Sequence, residues 1–256
     1  MNLVSGNKLE HQLKLLKKNY KLVGIKSEFE AEGSGLEDIA RLRVITSNLN
    51  IKLYVKIGGV EALNDIYNCL ELQVDGIIAP MVETKFGLKK FLEIFDRLKL
   101  KKNPSLTINI ETKSGVDNIK DILKYAYGKI NNVTIGRTDL SGSYFKENIV
   151  PNSNFILDKI KLISKTAAKY KLKTTIGGSV NADTIKIYSK IKNINKFINK
   201  IETRKVMLPT NIFLKKKGSL KNALKFEEMY IIQKKEMIDL KLSSEIIRLS
   251  KLNTRK

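Results

Sequence analysis

The chain has 256 residues, 42% of them hydrophobic, enough for one large α/β barrel or two smaller domains. No apolar run approaches the ~18 residues of a membrane span, Met1–Tyr20 lacks the apolar centre of a secretory signal, and one cysteine, Cys69, excludes an internal disulfide framework, so a soluble cytoplasmic protein is expected. The formal charge of +22 is nearly all lysine, with seven arginines and no dense basic arm, which leaves a nucleic-acid-binding protein as an alternative of another class rather than the leading reading.

In chain order, a polar helix near Lys8–Lys18 carries His11, the only histidine, as a solvated side chain. Leu22–Ile25 reads as a first buried strand, and Leu36, Ile39, Ala40, Leu42, Ile45 and Leu49 then make a helical stripe. Ile51–Ile57 alternates, with Leu53, Val55 and Ile57 facing one way and Lys52, Tyr54 and Lys56 the other. Leu63, Ile66, Tyr67 and Leu70 mark the next helix, in which Cys69 is a small buried hydrophobe. Asp75-Gly76 turns the chain into the strand Ile77–Pro80, and a helix over about Thr84–Leu98 leads to the apolar run Leu106–Ile108.

Ile119, Ile122, Leu123 and Ala126 lie at i, i+3, i+4 and i+7, an amphipathic helix, and Val133–Ile135 is another apolar run. Ile156, Ile160, Ile163, Ala167 and Tyr170 give a further helix, Thr174–Gly178 a strand, and Phe197–Ile201 a seventh strand. Val206–Leu208 reads as an eighth, cut short by Pro209, and Leu220–Leu252 as mostly helical. Alternating strands and helices with short connections specify a parallel sheet wrapped by helices. With no composition break, the expectation is a single domain: an N-terminal helix over 1–20, a barrel over 21–210 and C-terminal helices over 219–252. The strand count does not prove closure with eight strands, and an open doubly wound sheet is the alternative.

Two segments carry the chemistry. Asn109-Ile110-Glu111-Thr112 and Gly136-Arg137-Thr138-Asp139-Leu140-Ser141 each place a carboxylate where an apolar strand ends. A hard cation such as Mg²⁺ or Mn²⁺ needs only one or two carboxylates besides water and substrate, so Glu111 and Asp139 suit it as a pair. Taken alone, Glu111 reads equally as a surface residue and Asp139 as a helix cap. A 2-oxo acid supplying its carboxylate and keto oxygen would complete a five-membered chelate, and the metal would stabilise charge as the adjacent C–C bond breaks. Asn109, two residues before Glu111, points to the same side and is placed to hydrogen-bond that substrate. Gly136, Arg137 and Thr138 offer loop amides to its carboxylate, the glycine removing a steric barrier.

Val74–Pro80 with Met81-Val82-Glu83, then Ile110-Glu111-Thr112, then Gly136–Ser141 resemble the HpcH/HpaI aldolase and citrate lyase β-subunit family of the phosphoenolpyruvate/pyruvate superfamily. The resemblance runs from about Leu22 to Gly178, with weaker support to Lys205. It implies a modified (β/α)8 TIM barrel, Glu111 and Asp139 as metal ligands, a small anionic oxo-acid substrate, and a homo-oligomer often built by exchanging C-terminal helices. Two departures stand out. Lys56 occupies the place of a substrate-gripping arginine, which keeps the charge but loses the bidentate fork. The early strand end Lys26-Ser27-Glu28 lacks the aldolase branch's histidine.

Lys26 and Glu28 are therefore the proton-transfer candidates, with Lys205 a further one, and Lys56 stands beside them as a catalytic residue. Arg204 either holds an anionic substrate group or pairs with Glu202. The functional reading is a divalent-metal-dependent carbon–carbon lyase or aldolase acting on a small 2-oxo acid or its hydroxy-acid adduct. A citrate-lyase-β-like enzyme using an acyl-CoA thioester on the same metal site is the closest alternative, and a scaffold that has lost catalysis a further one.

Overall fold

The computed structural model describes residues 6–255; the first five residues of the expected N-terminal helix lie outside this range. Strands β1 (Gly24–Glu28), β2 (Leu53–Lys56), β3 (Gly76–Ala79) and β4 (Ser105–Ile110) are followed by β5 (Asn132–Gly136), β6 (Lys173–Gly177), β7 (Lys200–Glu202) and β8 (Val206–Pro209). They close into one barrel in sequential order, β8 returning to β1. Helix α1 (Gly6–Tyr20) precedes β1, and α2 (Leu36–Asn48), α3 (Leu63–Glu71) and α4 (Lys85–Leu98) follow β1, β2 and β3. Beyond β4 come α5 (Lys113–Asp117) and α6 (Ile119–Ala126), and beyond β5 come α7 (Arg137–Gly142) and α8 (Asn154–Lys169). Helix α9 (Ala182–Ser189) follows β6, and α10 (Thr210–Lys215) and α11 (Ser219–Asn253) end the chain.

The barrel departs from eight repeated β/α units at its last strand. Neighbours from β1 to β7 pair in parallel, but β8 is antiparallel to both β7 and β1. Only residues 203–205 link β7 to β8, whereas a parallel crossover needs a dozen or more. The chain therefore turns back as a hairpin, and Val206 NH donates to Thr203 Oγ1 at 3.1 Å across the turn. Strand β7 also begins later than Phe197, because Ile194–Lys196 forms a 3₁₀ turn.

Alternation along the strands divides the barrel wall. Ile25, Leu53, Val55, Ile77, Ile108, Ile110, Val133, Ile135, Ile176 and Ile201 join the helices in one continuous core. Tyr54, Ile78 and Met207 form a separate apolar plug inside the barrel. Above that plug the inward positions are polar. Thr175 Oγ1 donates to Asn132 Oδ1 at 3.0 Å, and Asn132 Nδ2 donates to Thr134 Oγ1 at 3.3 Å.

The opening helix is amphipathic rather than simply polar. Leu9, Leu13 and Leu16 are buried at i, i+4 and i+7, while His11 is exposed as expected. Gln12 Nε2 donates to Asn222 O at 2.8 Å and Tyr20 Oη to Lys217 O at 3.1 Å, joining α1 to the start of α11. Cys69 is buried within α3, and desolvation pushes its thiol up to about 12, which fits a core role.

Candidate active site at the strand ends

The carboxyl ends of the parallel strands surround a cavity of about 420 Å³. Lys26, Glu28, Lys56, Asn109, Glu111, Gly136, Thr138, Asp139 and Arg204 all line it, so nine of the eleven site residues expected from sequence come together. They arrive from β1, β2, β4, the β5–α7 junction and the β7–β8 turn.

Glu111 is seated from three sides. Its Oε1 accepts the Met81 amide at 3.0 Å and its Oε2 accepts Asn109 Nδ2 at 3.1 Å. Met81 reaches that position with φ of 47°, a left-handed conformation uncommon for a residue with a side chain. On the third side Gly136 leaves room, since a Cβ there would stand 2.9 Å from Glu111 Cβ and closer still to Oε2. This glycine thus makes space for the protein's own carboxylate. Burial pushes the Glu111 pKa upward; the Met81 amide and Lys56 oppose that shift, and the negative charge of Asp139 reinforces it. Asp139 itself is exposed to the cavity from the first turn of α7.

The bases form a chain of ion pairs across β7, β1 and β2. Lys26 Nζ lies 2.9 Å from Glu202 Oε1 and 3.1 Å from Glu28 Oε1, and Lys56 Nζ lies 3.0 Å from Glu28 Oε2. Burial opposes the charge on Lys26, but its two carboxylate neighbours outweigh it and raise the ammonium above the ordinary lysine value. Burial likewise opposes the charge on Glu28, yet Lys26 and Lys56 prevail and bring its carboxyl down to about 2. A proton carrier works best with a pKa near the working pH. In this arrangement the ion pairs favour the charged forms of both Lys26 and Glu28.

Lys205, the third candidate, lies apart from this chain of pairs. Buried, it pairs with Glu32, donates to Ser27 Oγ at 3.3 Å and stands 4.0 Å from the Tyr230 ring centroid. Arg204 is exposed at the rim and donates to Ala31 O at 3.4 Å, while Glu202 has Lys26 as its ion-pair partner.

Arg137, like Lys205, does not line the cavity. Its side chain is fully buried; Nε donates to Gly177 O at 3.0 Å and Nη1 to Asn152 Oδ1 at 2.7 Å, and Nη2 donates to Gly178 O. The guanidinium ties the end of β5 to the end of β6, a bracing role for the side chain that is separate from the loop amide expected to face the substrate. Thr138 stays at the cavity, its Oγ1 2.9 Å from Ser179 Oγ.

Residues 45–171 match the family model for HpcH/HpaI aldolase/citrate lyase. Through that segment, just under half of its length, the chain is similar to the HpcH/HpaI aldolase/citrate lyase family. No curated relative matches its sequence. Among solved structures, the HpcH/HpaI aldolase from Desulfitobacterium hafniense DCB-2 superposes with a TM-score of 0.61 at 13% identity, over 79% of this chain and 82% of its own. An HpcH/HpaI aldolase/citrate lyase family protein from Burkholderia cenocepacia J2315 gives 0.61 at 12% identity, over 79% and 84%. A variant of the citrate synthase SbnG gives 0.57 at 16% identity, over 90% and 91%. These likenesses establish a shared barrel fold.

The HpcH/HpaI-type segment supplies Lys56, Asn109, Glu111, Gly136, Thr138 and Asp139, whereas Lys26, Glu28, Glu202 and Arg204 lie outside it. Glu202 went unassigned in the sequence reading, although it follows Ile201 at a strand end just as Glu111 follows Ile110. Leu224 and Glu227 reach the rim from α11, a placement that no local pattern announces.

The donor set suits a hard divalent cation. Among the described residues no three His, Cys, Asp or Glu side chains gather into a metal cage, but Glu111 and Asp139 border one cavity. Asn109 Oδ1, beside them, is buried without a hydrogen-bond partner. Five carboxylates line the cavity against three cationic side chains, an acidic hollow in a chain of net charge +22. Two carboxylates with water and substrate suffice for Mg²⁺ or Mn²⁺.

Proposed function

We propose that this chain is a carbon–carbon lyase or aldolase dependent on Mg²⁺ or Mn²⁺, acting on a small 2-oxo acid or its hydroxy-acid adduct. The observation that carries the reading is the placement of Glu111 and Asp139 on one cavity. These two would hold the cation, which when bound supplies a Lewis acid for the carbonyl next to the bond that breaks. Lys56 and Lys26 provide positive charge for the substrate carboxylate, partly neutralised by Glu28. Thr138 and Ser179 present hydroxyls on the same wall, and Arg204 draws anions to the rim. The packed barrel and the tight seat of Glu111 limit the reorganisation needed on binding.

A thioester substrate is the second reading, favoured by an adjoining cavity of about 400 Å³ that shares Ala31, Arg204 and Glu227 with the first. Tyr230, Ile231 and Ile238 give it an apolar wall, and Lys234 and Lys235 a basic edge. Those features suit the acyl arm and phosphates of a CoA ester. The same reading includes a homo-oligomer in the cytoplasm; no helix among the described residues is long and apolar enough to cross a membrane.

Calorimetric titration of Mn²⁺ into the wild type, Glu111→Ala and Asp139→Ala tests the metal site, alongside exchange of pyruvate methyl protons in D₂O. Each variant is expected to bind Mn²⁺ more than about tenfold more weakly and to lose the exchange. Unchanged affinity in both variants overturns the assignment.

A further inference from the structure

Cleavage of a hydroxy-acid adduct needs a group that takes the hydroxyl proton as the C–C bond breaks. Lys26 and Glu28 are engaged in ion pairs with each other, Glu202 and Lys56, and the chain's single histidine, His11, is exposed on α1. We propose that Glu202 is that base, a catalytic residue on β7 whose Oε2 receives the hydroxyl of the substrate. The assignment rests on the lyase reading above.

Three observations place it. First, Glu202 lines the same cavity as Glu111 and Asp139 while its side chain is only 3% exposed. Second, its two oxygens are unequal: Oε1 is held by Lys26 Nζ at 2.9 Å, whereas Oε2 is buried with no hydrogen-bond partner. A buried acceptor left unmade carries its whole desolvation penalty, which a donor brought by the substrate removes. The terminal torsion of a glutamate is soft, so the free oxygen can meet such a donor while Lys26 keeps the other in place.

The third observation is a matched pair of glycines. Gly136 and Gly177 are register partners on β5 and β6. A Cβ at Gly177 would stand 2.9 Å from Glu202 Cγ, as one at Gly136 would stand 2.9 Å from Glu111 Cβ. Glu111 leans in from β4 and Glu202 from β7, so two acids flank the same pair of strand ends. One then serves the carbonyl side of the substrate and the other the hydroxyl side.

In the cleavage step the hydroxyl proton passes to Glu202 Oε2 and the O–H electrons become the new C=O of the departing aldehyde. The C–C bond breaks, and its electron pair stays on the 2-oxo fragment as an enolate. The proton then returns to the enolate carbon, leaving a 2-oxo acid and an ionised Glu202.

The test compares two reactions of the full chain with Mn²⁺: cleavage of 4-hydroxy-2-oxopentanoate and decarboxylation of oxaloacetate. Both form an enolate, but only the first requires a hydroxyl proton to be removed. In Glu202→Gln the ratio of cleavage to decarboxylation is expected to fall by about 100-fold or more. Rates that fall together mean that Glu202 only positions Lys26, and overturn the proposal. Should Glu202→Gln fail to fold, Glu202→Asp keeps the negative charge beside Lys26 and withdraws the carboxylate by one methylene. Its ratio is expected to fall by about tenfold, and an unchanged ratio overturns the proposal equally. A wild type that neither decarboxylates oxaloacetate nor exchanges pyruvate methyl protons sinks the lyase reading, and this assignment with it.

Discussion

The carboxylate of Glu111 lies against Gly136 so closely that the smallest side chain at 136 would collide with it. Strand pairing enforces the approach, because Ile110 is the register partner of Ile135, one residue before that glycine. Gly136→Ala is therefore expected to push the Glu111 carboxylate off its Met81 and Asn109 donors. Overpacking of this kind costs about 1–3 kcal/mol of stability. Mn²⁺ affinity should fall by more than about tenfold, as for a disturbed ligand shell. Thermal melting with and without Mn²⁺ checks both effects, and a variant that retains wild-type affinity contradicts the proposed role of Glu111.

Glu28 links stability to acid. Its folded pKa of about 2 lies below the ordinary 4.5, so the stabilisation it contributes is present above about 4.5 and is lost as pH falls through about 2. Glu28→Gln leaves Lys26 and Lys56 without their shared partner. Breaking a buried pair costs on the order of 3 kcal/mol at pH 7. The gap between wild type and variant is expected to stay level down to about pH 4.5 and to narrow below it. Urea melts across that range read the gap directly, and a gap that widens on acidification runs against the assignment.

Helix α11 extends well past the barrel. Only Ser219, Ala223, Phe226 and Tyr230 are buried along its 35 residues. Ile231, Ile238, Leu242, Ile246 and Leu249 are each more than half exposed and share one face at 3.6 residues per turn. An apolar stripe of this length is a mark of association. Light scattering is expected to give a multiple of the chain mass, and Leu242→Glu combined with Leu249→Glu should return the monomer without lowering the melting temperature of the barrel. A monomeric wild type removes the proposed homo-oligomer.

What was legible in the sequence followed from local periodicity. Buried strands are short β-branched runs, so Val133–Ile135 and Ile77–Ala79 announce themselves, and the helix over about Thr84–Leu98 is likewise found where expected. Strand β1 runs three residues beyond the expected Ile25, to Glu28, because Lys26 and Glu28 look like solvated residues until their ion pairs are in view. Arg137 had the opposite fate. Its neighbours in the chain are site residues, while its own side chain turns back to carbonyls 40 residues away.

By itself the sequence determined that helices and strands alternate, that acids stand at two strand ends, and that the chain resembles one enzyme family, because each depends on neighbours along the chain. Tertiary structure alone decided that β8 runs backward, that Glu202 joins Lys26, and that Gly136 and Gly177 stand side by side beneath two leaning carboxylates. Those outcomes depend on barrel closure, which brings groups more than 170 residues apart within hydrogen-bond distance. No local pattern of side chains encodes which strand end will face which.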